Sequence, residues 1–202
     1  MPLRFLALGD SYTIGEGLAL ADNWPMQLAR ALRRRGVDLD DPQVIATTGW
    51  TSEELTAGIA LAAPAHRWDL VTLGIGVNDQ YRGRSEAAYR AALVDLLDTS
   101  MRLAGDGALL MLSIPDWGMT PFARAEGQDA ARVSAQIDRF NHVARALCDD
   151  RGIAFVDITP LSRDGGDDKA MLVADGLHPS AAMYARWVDA VLPVAQRLLA
   201  RP

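Results

Sequence analysis

Residues 3–17 read LRFLALGDSYTIGEG. The first six form a short apolar run without polar alternation, and the run stops at Gly9-Asp10-Ser11. Strands buried on both faces read this way, as the strands of parallel sheets do. Similar runs recur at QVIAT (43–47), DLVTLGI (69–75), ALLMLSI (108–114) and IAFVDI (153–158). Helical periods separate them: WPMQLARALRRR (24–35), TSEELTAGIALAA (51–63), SEAAYRAALVDLLDTSMRLA (85–104) and DAARVSAQIDRFNHVARALCDDR (129–151), with SAAMYARWVDAVLPVAQRLLA (180–200) closing the chain. Strand and helix alternating in this way predict an α/β fold, a five-stranded parallel sheet wound with helices on both faces.

Local signals place the helix ends. Gly36, Gly105 and Gly152 follow three of the helices, and Thr51 or Ser52 ahead of Glu53 and Glu54 is a capping signature. Pro193 lacks a donor and clashes with the preceding turn, so it is expected to kink or break the last helix. No repeat, low-complexity tract or shift in composition divides the chain, and residues 1–202 are read as one domain.

Composition narrows the partners. Of 202 residues, half are apolar, and 20 Lys and Arg against 26 Asp and Glu leave a net charge of −6. Nucleic acid or an anionic membrane surface would need a basic face, so neither is expected as a partner. Arg33-Arg34-Arg35 falls at a helix end, where cations suit the macrodipole. Cys148 is the only cysteine, which excludes an intrachain disulfide and a cysteine metal site, and its amphipathic setting reads as a buried small hydrophobe. No secretory signal is visible and no run approaches the roughly 20 residues of a membrane span, so the chain as given reads as cytoplasmic.

Ligands of doubly wound sheets bind beyond the carboxyl ends of the strands. The informative residues follow the strands here: Gly9-Asp10-Ser11, Thr48-Gly49-Trp50, Gly74-Ile75-Gly76-Val77-Asn78-Asp79 and Pro115-Asp116-Trp117, with Asp175-Gly176-Leu177-His178-Pro179 after the last strand and a loop. Phosphate binding fits them poorly. A Walker loop needs a lysine after its glycines, and G-x-G-x-x-G fails at both candidates, because Leu20 and Asp79 stand where the third glycine belongs. Ser11 as a nucleophile fits better, since a serine hydroxyl needs a base and histidine titrates in the right range. Of three histidines, His66 lies in a polar connection and His142 inside a long helix. Only His178 falls on the rim, with Asp175 three residues earlier, close enough to fix the imidazole tautomer through one short turn. Backbone N–H groups of Ser11 and Gly49 and the side-chain amide of Asn78 are the candidate donors to an oxyanion.

The set GDS (9–11), Gly49, GVND (76–79) and DGLHPS (175–180) resembles the GDSL, or SGNH, hydrolases, in order and over nearly the whole chain. The resemblance implies a three-layer α/β/α, flavodoxin-like fold. It also implies Ser11 as nucleophile, His178 as base with Asp175 as partner, and Gly49 and Asn78 as oxyanion donors. Tyr12 replaces the leucine of the eponymous motif, and the G-x-S-x-G elbow of ordinary α/β-hydrolases is absent because Thr13 stands at its last position. NDQYRG (78–83) is similar to the small bacterial thioesterase/lysophospholipase branch. Asp10 and Asp79 are expected to bond the site loops rather than carry protons.

The expected reaction is hydrolysis of a small-molecule carboxylic ester, or of a thioester or lysophospholipid, through an acyl-enzyme and without metal or organic cofactor. A carbohydrate acetylesterase with the same site is the alternative, and a non-hydrolytic binding module the third. IPDWGMTPFARAEGQ (114–128) carries Trp117, Met119 and Phe122, which either line an acyl groove or pack the loop onto the body. Trp50 is open to the same two readings. RDGGDDKAML (163–172) reads as an exposed connection.

Overall fold

The structure, a computed structural model, describes residues 1–65 and 67–200. Five strands, β1 (Phe5–Gly9), β2 (Gln43–Ala46), β3 (Leu70–Gly74), β4 (Ala108–Leu112) and β5 (Ala154–Val156), form one parallel sheet in the order β2-β1-β3-β4-β5. The helices are α1 (Ser11–Ile14), α2 (Trp24–Arg34), α3 (Ser52–Ala62), α4 (Val77–Tyr81), α5 (Glu86–Ala104), α6 (Pro121–Ala125), α7 (Ala130–Arg151), α8 (Thr159–Gly165) and α9 (Ala181–Leu199). On one face α2 packs with α9; on the other α3, α5 and α7 pack in a row.

Burial explains which runs read cleanly. Phe5, Leu6, Ala7 and Leu8 of β1 and Leu70, Val71 and Leu73 of β3 are fully buried, because both strands are interior to the sheet. β2 and β5 are its edges. They are shorter and only partly covered, so the expectation of burial on both faces does not hold for them.

Helix ends follow the local chemistry. Thr51 caps α3, and the Thr51 N–H donates to Glu54 Oε2 at 2.8 Å, completing a capping box. Asn23, Ser85 and Ser180 cap α2, α5 and α9. Of the kink or break expected at Pro193, the break does not occur: α9 runs on to Leu199. The exposed proline ring costs one backbone bond, while Tyr184, Trp187, Val188, Val191 and Ala195 bury the helix face on either side of it. Cys148 is buried, with its sulfur 3.8 Å from that of Met111, and burial pushes its thiol up to about 12. No helix among the described residues is long and apolar enough to cross a membrane.

The strand order decides where a site can form. From β1 the chain crosses one way to β2 and then back past β1 to β3, so the segments leaving β1 and β3 diverge. A crevice opens at such a switch point, and this order is the flavodoxin-like one. Ser11 leaves one side of the crevice and Asn78 the other.

Candidate active site

Ser11 opens α1 directly after β1. Asp10, buried, caps that turn by accepting the Tyr12 N–H at 3.0 Å. Gly9 is required by close approach: a β-carbon there would lie 2.4 Å from the Gly74 carbonyl oxygen and 2.1 Å from Thr13 Oγ1. The Tyr184 hydroxyl donates to the Tyr12 carbonyl at 2.9 Å, tying α1 to α9.

His178 reaches this turn from the far end of the chain. Its Nε2 lies 3.0 Å from Ser11 Oγ and its Nδ1 2.6 Å from Asp175 Oδ2. The other oxygen of Asp175 accepts the Leu177 N–H at 2.8 Å and the His178 N–H at 3.0 Å, so one carboxylate both folds the turn and aims the ring. Burial by itself would raise the Asp175 carboxyl, but the His178 side-chain bond and these two N–H bonds outweigh it and hold the group below its usual range. The Tyr12 ring lies against the imidazole, with centroids 5.3 Å apart. Behind the turn, the Val173 N–H donates to the His178 carbonyl at 2.9 Å and the Ser180 N–H to the Met171 carbonyl at 2.9 Å. The segment 163–172 is therefore not merely an exposed connection: it begins in α8 and braces the histidine turn. His142 is exposed on α7, and His66 lies outside the described residues.

Across the crevice, Gly49 adopts φ +84°, a left-handed conformation that favours glycine, and its carbonyl accepts from Arg82 Nη2 at 2.5 Å. Asn78, in the first turn of α4, donates from Nδ2 to the Trp50 carbonyl at 2.9 Å, leaving the second amide hydrogen free to face the cleft. Asp79 accepts the Ser52 N–H at 2.9 Å and hydroxyl at 3.0 Å, which fastens α4 to the start of α3 and so Asn78 to Gly49.

The cleft between these groups holds about 190 Å³ and is lined by Ser11, Gly49, Asn78 and His178 together with Tyr12, Thr48, Val77, Tyr81, Trp117, Phe122 and Leu177. Trp117 and Phe122 thus line it. Met119 and Trp50 do not: Met119 turns outward and packs beside Gly166, and the Trp50 ring covers Gly58 on α3. Met119 points to solvent and Trp50 to the body, directions that residue type does not reveal. Tyr12, Tyr81 and Leu177 were missed by sequence reasoning, although each sits beside or within three residues of a motif residue. The loop after β4 is structured, with a 3₁₀ turn at Trp117–Met119 followed by α6.

Residues 7–186 match the family model described as the GDSL-like Lipase/Acylhydrolase family. The chain belongs to this family. As a GDSL-family enzyme it is an ester hydrolase. It is similar to Esterase TesA of Pseudomonas aeruginosa, at 26% identity over 96% of this chain and 88% of that protein. Among solved structures, a crystal structure of TesA superposes with a TM-score of 0.77 at 22% identity, covering 96% of this chain and 99% of the other. An acetyl xylan esterase from Geobacillus stearothermophilus superposes with a TM-score of 0.71 at 19% identity, covering 99% and 97%.

Asp10 has a measurable electrostatic consequence. Burial pushes its carboxyl up to about 7 from 3.8, the Tyr12 N–H opposes the shift, and the charge of Asp79 adds to it. The folded chain therefore holds a proton that the unfolded chain releases, and this contribution to stability grows as pH falls from about 7 towards 4. Asn at this position keeps an acceptor for the Tyr12 N–H and removes the titration. Asp10→Asn is expected to be more stable than the parent at pH 8, by at most roughly 4 kcal/mol, with the gap closing towards pH 4. Urea melts at pH 5 and pH 8 check this; parallel stability profiles for the two proteins would contradict the buried charge.

Proposed function

We propose that the enzyme cleaves carboxylic acyl esters in two steps through an acyl-enzyme on Ser11. The observation that carries this reading is the chain of two contacts, Ser11 Oγ to His178 Nε2 at 3.0 Å and His178 Nδ1 to Asp175 Oδ2 at 2.6 Å. An Asp175 carboxylate that stays ionised accepts the Nδ1 proton, so the Nε2 lone pair faces the serine hydroxyl. Ser11 Oγ attacks the ester carbonyl as its proton passes to Nε2. The N–H groups of Ser11 and Gly49 and the free amide hydrogen of Asn78 stabilise the resulting oxyanion. The imidazolium then protonates the departing alcohol oxygen. Water, deprotonated by Nε2, attacks the acyl carbon, and the acid leaves as Ser11 regains its proton.

The aromatic and aliphatic lining of the cleft favours an acyl chain over a bare acetylated sugar. The acetyl-ester reading keeps one support, the fold shared with the acetyl xylan esterase. An alkylphosphonate ester with a good leaving group tests the nucleophile. One phosphonyl group is expected on the peptide containing Ser11, and none after Ser11→Ala. Labelling elsewhere, or undiminished labelling of the variant, would overturn the assignment.

A further inference from the structure

The turn that presents Asn78 also carries, two residues on, a side chain the ester chemistry does not require. Gln80 is 6% exposed. Its Oε1 accepts the indole N–H of Trp117 at 2.7 Å, and its Nε2 donates to Gln136 Oε1 on α7 at 2.8 Å. An indole nitrogen only donates, so the contact determines which way the amide faces, with its oxygen to Trp117 and its nitrogen to α7. Trp117, 4% exposed, forms a wall of the cleft, with Tyr81 edge-on to its ring at 5.3 Å.

The backbone beneath Trp117 is braced separately. Asp116 donates its N–H to Ser162 Oγ at 2.8 Å, and its carboxylate accepts from the Gly118 N–H, Ser134 Oγ and Arg163 Nε at 2.9, 2.5 and 2.8 Å. The loop is consequently a wall and not a lid. The indole itself packs against the rings of Tyr81 and Phe122, and Gln80 holds its polar edge.

The cleft that Trp117 walls holds about 190 Å³, at the small end for a ligand pocket. We propose that Gln80 is a positioning residue for specificity, locking Trp117 across the cleft so that short acyl chains fit and long ones do not. The inference rests on the acyl-enzyme reading above and adds a substrate class to it, short-chain acyl esters.

The test is the series of nitrophenyl esters from acetate to dodecanoate, with kcat/KM measured for the parent and the variants below. The parent should lose at least about tenfold between butyrate and dodecanoate, the range that discrimination by hydrophobic contact reaches. In Gln80→Leu the octanoate-to-butyrate ratio should rise by about tenfold on the same scale. Gln80→Glu retains an acceptor for the indole and should keep the parental ratio, while Gln136 can turn its amide to meet it. In a Trp117→Phe background the ring has no N–H to hold, so adding Gln80→Leu should change nothing further.

A parent that turns over dodecanoate as well as butyrate overturns the proposal. So does an unaltered ratio in Gln80→Leu, or an equal effect of that change with and without the indole. Should the leucine variant not fold, Gln80→Met serves in its place, and an unaltered ratio there is equally decisive. Phosphonate labelling of Ser11 separates the two levels. A parent that is not labelled fails the acyl-enzyme reading, whereas a labelled parent with a flat chain-length series fails only the role of Gln80.

Discussion

Ser11→Ala is expected to lose roughly 10⁵- to 10⁶-fold in kcat towards a short-chain nitrophenyl ester, His178→Ala about the same, and the double variant no more than either. The non-additivity follows from the geometry. The hydroxyl and the imidazole share one proton path at 3.0 Å, so removing either end leaves the other nothing to do. Residual rate over water should persist, because the backbone N–H groups of Ser11 and Gly49 and the amide of Asn78 do not depend on that path. Ser11→Ala should also fold, since Asp10 and Tyr184 hold the α1 turn through the backbone of Tyr12 and not through the hydroxyl. Initial rates together with thermal melts of the purified variants check both statements. Turnover within a thousandfold of the parent in Ser11→Ala, at an unchanged melting temperature, would remove Ser11 from the mechanism.

Asp175→Asn should cost about 10³- to 10⁴-fold in kcat, more than its change in volume could explain. Asn Oδ1 can still accept the Leu177 and His178 N–H groups, so the turn survives. Its NH₂, however, stands where Oδ2 accepted the Nδ1 proton. A donor there favours the tautomer with its hydrogen on Nε2, and that nitrogen can then no longer accept the Ser11 proton. The parent carboxyl, held below its usual range by its three bonds, stays charged from pH 8 down to at least pH 5. A fall in rate within that interval is therefore not protonation of Asp175. The check is kcat for parent and variant across pH 5 to 8. A variant within tenfold of the parent would mean that the carboxylate only shapes the turn.

Much of the scaffold was legible because it depends on neighbours in the chain. β1, β3 and β4 read as unalternating apolar runs since both of their faces are covered. The capping of α3 by Thr51 and Glu54 is a matter of residues three apart. The short helices α1, α4 and α6 were not legible, because little more than one turn is too brief to show a 3.6-residue period. These turns nonetheless present Ser11, Asn78, Tyr81 and Phe122 to the crevice. At Pro193 the local rule about backbone donors did not end α9, because the burial of a long helix face outweighs one lost bond.

By itself the sequence determined the alternation of strands and helices, through residue type and short spacings, and the family, through the resemblance carried by four motif blocks; it offered Ser11, His178 and Asp175 as candidates for ester chemistry. Tertiary structure alone decided the strand order that opens a crevice beside β1, and the meeting of Ser11 with His178 across 167 residues. It also decided that Trp117 faces the cleft while Met119 and Trp50 do not, that Asp10 shares its burial with the charge of Asp79, and that Gln80 finds an indole 37 residues away. The physical reason is common to all of these: burial, hydrogen-bond partnership and charge state belong to pairs of groups brought together in space, and no single residue or local pattern carries them.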